Sequence, residues 1–600
     1  GFKESSGVSA HMELPAGDEE PVISYTYVPK EKGYFSIGFV GMPEVQTEKV
    51  DAIWQPWIWQ EKRFPPAAYL SPNDMSPLPA TLVERGGLTY GLVADPKELP
   101  YQFAALHQKN LKSGVAVRSE KGLARPMIFA PVLGMKDSYA EGNSTMSFSF
   151  RVLLFDGALP QAHRYIAERI YAFKDYRENV FTNLNQTIEN ITDYGMNDGL
   201  SGWNAELRGY DYTADVARTV KIVSALHPLS VALITDNENI YRLRGLPMTE
   251  FNLSRERFLF TIHKDVNGQQ ASSKMSGPGV EVAELAALQS FYRPTPSVFS
   301  AFADSTRRLT RRLNLLKMSP GDSWPNLLGL FKMTGDSQYL RACIIKADQY
   351  VADRIETPQR DFRDNDPELE THFWTDYAPL WIELLDLFET TKNKKYLQAS
   401  IEGAKRYTQY IWFQPRIPTD TIEVKAGPGN EKTSVPAWWV SEVGLTPEAA
   451  NTFHANHAIF IAPFAAHFLR LAYYANDPYF RAIGRSAVIG RYSNFPNYAM
   501  FSTYRTDHSR PDFPINAALP HFFYYNHIWP FVASLYDYLI SDVLVQSNAQ
   551  ITFPNEFAPG YAYMKSKVYG HKPGSFYTDD SVYLWMPKQL LHLNSTQVNY

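Results

Sequence analysis

Three stretches decide the fold: MTGDSQYLRACIIKADQYVADR (residues 333–354), TTKNKKYLQASIEGAKRYTQYI (390–411) and YYANDPYFRAIGRSAVIGRY (473–492). In each, an apolar helix ends in a short polar turn, and Tyr339, Tyr396 or Tyr479 with an apolar neighbour opens the next helix. Each stretch reads as a tight helical hairpin, and together they form a degenerate internal repeat. The connections that return from one hairpin to the next are longer and irregular, as in RIETPQRDFRDNDPELETHFW (354–374). Short turns at one end and long loops at the other are the pattern of helical hairpins set in a ring. Roughly 390 residues shared among twelve helices leave ~32 for each helix and its loop, a workable length. The expectation is an (α/α)6 toroid over residues 157–545.

Before this region the period is different. VISYTYV (22–28), YFSIGFVG (34–41), LTYGLVA (88–94), GVAVRS (114–119) and TMSFSFRVLLF (145–155) are short β-rich runs separated by Gly, Pro and Asn turns. Alternation within MSFSFRVLLF sends one set of side chains to a packed face, as in a β-sandwich. Helical periodicity starts with PQAHRYIAERIYAFKDYREN (160–179). The fold class expected is α+β multidomain: a β-sandwich over 1–156, the toroid over 157–545, and a C-terminal extension over 546–600 that packs on the body.

Composition narrows the function. The 58 Lys and Arg nearly balance the 63 Asp and Glu, so the charge is -5, with no long run of either sign. A nucleic-acid footprint is therefore not expected, and no stretch approaches the ~20 apolar residues of a membrane-spanning segment. The single cysteine, Cys343, excludes an internal disulfide framework. The first twenty residues have neither a basic start nor an apolar signal core. The chain is read as a mature periplasmic, cell-surface or secreted protein whose signal is gone, with a cytoplasmic location left open. Aromatic residues make up 14% of the chain, and flat rings with polar tips suit the faces of sugars.

Function should sit where the long loops meet the first turns of the inner helices. Trp374, Tyr377, Trp381, Leu384 and Phe388 recur at spacings of three and four, with His372 and Asp376 alongside. His454, His457, Ile461, Phe464, Phe468 and Leu471 form a second stripe, and His521, Tyr525, Ile528, Val532, Leu535 and Leu539 a third. Each turns polar at its N-terminal end. Pro530 suits a first helical turn, which makes HFFYYNH (521–527) a candidate loop. NDGLSGW (197–203) and RGYDYTADVART (208–219) contribute Trp203, Tyr210 and Tyr212, and FSTYRTDHSRPDFP (501–514) contributes Tyr504, Arg505 and His508. The pair His454 and His457 lacks a third ligand that the sequence can place, so neither a metal nor any other cofactor is expected. There is no G-x-x-x-x-G-K-[ST], strand-linked G-x-G-x-x-G or G-x-S-x-G signature.

Two chemistries suit an aromatic sugar pocket. Glycoside hydrolysis uses two carboxylates. β-Elimination at a uronic acid neutralises the substrate carboxylate with Arg, His or Asn, removes the adjacent proton with Tyr or His, and supplies a proton to the leaving oxygen. The segments 451–457 and 521–527 hold Asn, His and Tyr but no Asp or Glu, which favours elimination. The catalytic candidates are Tyr525 as base, with Tyr377 or Tyr210 in reserve, Arg505 and His454 as its cationic partners, and His457 at the leaving oxygen. Trp203, Tyr210, His372, Trp374, Tyr377, His521, Asn526 and His527 are the candidate substrate contacts.

The β-domain followed by a helical toroid with an aromatic, histidine-rich pocket resembles bacterial polysaccharide lyases. More narrowly, RVLLFDGALPQAHRYIAERIYAFKDYRENVFTNLNQTIENITDYG (151–195), NTFHANHA (451–458) and PHFFYYNHIWPF (520–531) are similar to the L-rhamnose-α-1,4-D-glucuronate lyases of gut Bacteroides, which uncap arabinogalactan proteins. The resemblance extends over most of the chain. It implies an exo-acting enzyme with an (α/α) barrel, a deep central pocket, a tyrosine base, an unsaturated glucuronide product and a polysaccharide or glycoprotein glycan as partner. Two alternatives stand beside it: an (α/α)-barrel exo-glycosidase such as a β-glucuronidase, using Asp376, Glu206 or Asp211, and a noncatalytic glycan-binding protein.

Overall fold

The computed structural model describes residues 7–101, 112–212, 218–264, 271–288, 320–358, 377–447, 458–459, 464–489, 525, 528–558, 566–569 and 573–582, apart from short gaps within those ranges. The protein is a mixed α+β structure with its sheets at the N-terminal end and helices following.

Among the described residues, thirteen strands precede the first α-helix. They are β1 (Val8–Glu13), β2 (Val22–Tyr27), β3 (Gly33–Tyr34), β4 (Ile37–Phe39), β5 (Ala52–Gln55), β6 (Trp59–Glu61), β7 (Ser71–Pro72), β8 (Ala80–Arg85), β9 (Leu88–Ala94), β10 (Gly114–Arg118), β11 (Ala124–Ala130), β12 (Tyr139–Ala140) and β13 (Met146–Asp156). A seven-stranded antiparallel sheet in the order β1-β2-β13-β9-β8-β5-β6 packs against a four-stranded one, β4-β11-β10-β7. Alternation along β5 sorts the two faces. Ile53 joins Val83, Val117 and Ala124 in one apolar cluster, while the neighbouring Trp54 meets His163 of the first helix edge-on, ring centroids 5.2 Å apart. The expected alternation in β13 holds for Phe148 and Phe150, yet Ser149 between them is buried too. β13 lies in the middle of the sheet, and the Ser149 hydroxyl is matched at 2.8 Å by that of Ser24 on β2.

Helix α1 (Leu159–Tyr165) lies on the seven-stranded sheet. It is followed by α2 (Leu184–Met196), α3 (Leu226–Ile234), the single turn α4 (Glu238–Ile240) and α5 (Leu246–Ser254). Three hairpins follow among the described residues: α6 (Pro320–Thr334) with α7 (Ser337–Tyr350), α8 (Trp381–Thr391) with α9 (Lys394–Tyr407), and α10 (Ala465–Ala475) with α11 (Pro478–Val488). These are the three repeats expected from sequence, and their turns share one construction. Gly335, Lys392 and Asn476 take left-handed φ values of 71°, 58° and 51°. The next residue, Asp336, Asn393 or Asp477, accepts a hydrogen bond with its side chain from the backbone N–H two positions on, at 2.8, 3.0 and 3.0 Å. A left-handed residue closes one helix and an Asp or Asn cap starts the next.

Helix α12 (Ile528–Gln546) packs on α10, α2 and α3. Among the described residues it is the one helix long and apolar enough to cross a membrane, and most of it is buried within the protein. Buried charges tie successive first helices together. Lys332 of α6 reaches both oxygens of Asp386 on α8, at 2.6 and 2.7 Å. Arg470 of α10, 1% exposed, binds Glu389 of α8 at 3.1 Å and Asp537 and Ser541 of α12 at 3.4 and 3.1 Å.

The beginnings of the helices differ from the sequence expectation. α8 starts at Trp381 and not near 374, because Pro379 disfavours helical geometry in the residue before it, and Leu380 has a non-helical ψ of 57°. In the same way Ala458–Ile459 pairs with Thr446–Pro447 in a short ladder, so the stripe from His454 to Phe464 is not one helix; Pro463 precedes the true start at Ala465. Pro530 does fall in the first turn of α12. Within the helical half, Thr421–Ala426 and Glu431–Pro436 form a β-hairpin. After α12, the described short strands over 551–582 form two small sheets, one of which, Asn555–Ala558 with Ser566–Tyr569, touches α3 and α12.

Candidate active site

The described site candidates that come together do so beside the first turn of α12. After α2 the chain turns through Asn197–Leu200 and forms a two-residue ladder, β14 (Trp203–Asn204) against β15 (Gly209–Tyr210), which pairs Trp203 with Tyr210. Their rings meet edge-on with centroids 4.9 Å apart. Gly202 has φ +68°, and a methyl group on it would run into the ring of Tyr525. Gly202 therefore lets the phenol lie against the backbone next to Trp203, where any larger residue would displace it.

Arg244 fixes this platform from behind. Its guanidinium stacks 4.3 Å from the centre of the Trp203 ring, donates to the Gly195 carbonyl at 3.0 Å and pairs with Asp198. Tyr210 has its hydroxyl fully engaged, donating to the same Gly195 carbonyl at 2.8 Å and accepting from Trp529 Nε1 at 2.7 Å. Burial pushes its pKa up to about 12. Tyr210 is thus a structural tyrosine holding β15 to α12. The expectations that it contacts substrate or serves as a reserve base do not fit a hydroxyl that is buried and already satisfied.

The polar side of the site comes from the residues that follow. Asp211, half-buried, accepts from Asn204 Nδ2 and from the Arg218 backbone N–H, each at 3.2 Å. Burial raises its pKa, against the downward pull of these hydrogen bonds and of His263. His263 Nε2 also lies 4.0 Å from Glu206. Tyr525 is half-buried, and its phenol is held above its usual pKa by burial first and by the charge of Asp211 second. The sequence reading asked for cationic neighbours around this tyrosine; among the described residues the charged neighbour that acts on it is a carboxylate. Nearby, Lys221 stacks its ammonium 4.9 Å from the ring centre of Tyr212, and burial lowers its pKa to about 8.

Tyr377 has other neighbours. It is 3% exposed, its carbonyl accepts from Arg354 at 2.7 Å, and Arg63 lies 4.7 Å over its ring. Arg354 in turn holds both oxygens of Glu61 on β6, at 2.9 and 2.7 Å, and Arg406 adds a third bond to Glu61 at 2.6 Å. Tyr377 thus belongs to a buried junction between sheet and helices and does not present an open face to a sugar. His372, Trp374, His454, His457, Arg505, His521, Asn526 and His527 lie outside the described residues. Asn204, Arg244, His263 and Trp529 were not anticipated. Asn204 stands seven positions before Asp211 across a short turn, a spacing that marks it, and Trp529 lies four positions after Tyr525; Arg244 and His263 are brought in from distant segments. Among the described residues no three His, Cys, Asp or Glu side chains converge as metal ligands.

No family model and no curated protein matches the chain. Among solved structures, a polysaccharide lyase superposes with a TM-score of 0.41 at 11% identity, covering 90% of this chain and 87% of that one. A D-mannose isomerase superposes with a TM-score of 0.36 at 12% identity, covering 59% of this chain and 97% of that one. Likenesses of this degree fix neither fold nor chemistry.

Proposed function

We propose that the protein is a carbohydrate-active enzyme, a polysaccharide lyase that removes rhamnose from the end of a glucuronate-bearing glycan by β-elimination. The observation that carries this reading is Tyr525, a half-buried phenol seated on Gly202 beside Trp203, with Asp211 as its charged neighbour. A phenol held above its usual pKa keeps its proton at neutral pH and is a proton donor. A carboxylate with a raised pKa is a stronger base than an ordinary one. In the reaction Asp211 takes the proton from C5 of the glucuronate, the C4–C5 double bond forms, the bond from C4 to the glycosidic oxygen breaks, and Tyr525 protonates that oxygen on the departing rhamnose. Tyr525, expected from the sequence to be the base, is the proton donor in this reading, because its phenol is held above its usual pKa, and Asp211 is the base. Arg505 and His454 neutralise the substrate carboxylate in this reading, His457 assists at the leaving oxygen, and His372, Trp374, His521, Asn526 and His527 complete the sugar contacts.

The same reading has the hairpins closing into an (α/α)6 toroid. It divides the chain into units at 1–156, 157–545 and 546–600, and places the enzyme in the periplasm, at the cell surface or outside the cell, where glycans are met. Its test is incubation with a rhamnose-capped glucuronide, following free rhamnose and the ultraviolet absorbance of the conjugated double bond together. Wild type should raise both in parallel. Tyr525→Phe and Asp211→Asn should each lower turnover by about a hundredfold or more while binding survives. Rhamnose without absorbance would overturn elimination.

One observation favours hydrolysis as the second reading: His263 lies by Glu206 and also acts on Asp211, which gathers two carboxylates about one imidazole. Glu206→Gln separates the two, since hydrolysis needs both carboxylates and elimination does not use Glu206.

A further inference from the structure

The N-terminal sheets contain a cleft of about 390 Å³ whose lining includes no residue of the Tyr525 site. Its origin is a mismatch between the two layers. On β2, Tyr25 and Tyr27 share a face, and their partners across the ladder on β13 are Phe148 and Met146. The covering sheet ends in the three-residue β4, whose Ile37 carbonyl accepts the Tyr25 hydroxyl at 2.9 Å. Beyond that point, among the described residues, no strand of the second sheet covers the aromatic face of β2 and β13, and the cleft lies there. Phe35 tilts against Tyr27 with ring centroids 5.4 Å apart. At the margin, the β3–β12 ladder places Tyr34 and Tyr139 edge to face at 5.3 Å, and both residues are exposed, 57% and 43%.

The polar lining is as specific as the aromatic. Ser36, Ser144 and Ser147 supply hydroxyls, Glu98 and Asp137 carboxylates, and Lys112 an ammonium. Glu98 is half-buried, and burial raises its pKa despite Lys112 and Ser149. A cleft of this size with stacked rings and a few convergent polar groups fits a small ring compound with one apolar face and several hydroxyls. Two carboxylates against one ammonium disfavour an anion.

We propose that this cleft is a second carbohydrate site, which takes neutral sugar residues and works independently of the chemistry at Tyr525. The aromatic rings stack on the sugar faces, and Glu98 and the serine hydroxyls bind the sugar hydroxyls. The test is calorimetric titration of the full chain with three neutral hexasaccharides, xylohexaose, cellohexaose and β-1,4-galactohexaose. At least one should bind. Its affinity should fall about tenfold in Tyr27→Ala and in Glu98→Gln, the loss of one stacked ring or one charge-assisted hydrogen bond, and stay unchanged in Tyr525→Phe. Glu98→Gln preserves side-chain shape, so a folding defect in Tyr27→Ala does not silence the test. Binding of none of the three, affinity unaltered in Glu98→Gln, or affinity lost in Tyr525→Phe would overturn the proposal. Elimination activity is read on the glucuronide substrate, so failure of one reading leaves the other standing.

Discussion

Gly202 and His163 show how single residues set the properties of this protein. Gly202 leaves the space that the Tyr525 ring occupies. Gly202→Ala should push the phenol off its seat, lowering turnover on the rhamnose-capped glucuronide by about ten- to a hundredfold. The left-handed backbone should add a stability loss of about 1–2 kcal/mol, read from thermal unfolding. His163 is fully buried between Trp54 and Phe413, and among the described residues neither ring nitrogen has a hydrogen-bond partner. Burial lowers its pKa to about 3, well under the ~6.5 of an exposed histidine. The unfolded chain therefore binds this proton first. The neutral ring's contribution is fully present above pH ~6.5 and is lost as the pH falls toward ~3, a change on the order of a few kcal/mol. His163→Phe should flatten that part of the stability profile, as measured by the unfolding midpoint between pH 7 and pH 4. A wild-type profile no steeper than the variant's would refute the assignment.

At the scale of elements, the hairpin turns were legible and the helix starts were not. The turns TGDS, TKNK and ANDP each carry a left-handed residue and a cap within four positions, so local chemistry alone betrays them. The apolar stripes, by contrast, run on through Pro379 and Pro463, and only the backbone preference of those prolines says where helix begins. The site was legible to the same degree. Tyr525 and Trp203 stood out as aromatic groups at polar helix ends, whereas Arg244 and His263 act through contacts across dozens of residues that no spacing encodes. Lys392 is the one turn residue of the three that pays a steric penalty for its left-handed φ without the short polar side chain that eases it. Lys392→Gly should raise stability by about 0.5 to 1 kcal/mol, and Gly335→Ala should lower it by about 1 to 2 kcal/mol; thermal unfolding of both variants checks the pair.

Across the whole molecule, the layers and the helices are joined by Glu61, a β6 carboxylate gripped by Arg354 and Arg406 with almost no exposure to water. Glu61→Ala removes the carboxylate that the buried Arg354 and the partly buried Arg406 share and should cost about 3–5 kcal/mol, seen as a lower urea midpoint; Glu61→Gln should cost less. Packing periodicity foretold that sheets and helices would each form, but not this joint, because β6 lies nearly three hundred residues before Arg354.

The buried charges between α6, α8, α10 and α12 have a further consequence. The three hairpins are built alike, so a newly made chain could seat one in the berth of another without any local objection. Lys332 finds its match on Asp386, and Arg470 on Glu389 and Asp537. In an exchanged berth these groups would be stranded in the interior, a large penalty. The ion pairs thus act as addresses, distinguishing near-copies that shape alone would confuse.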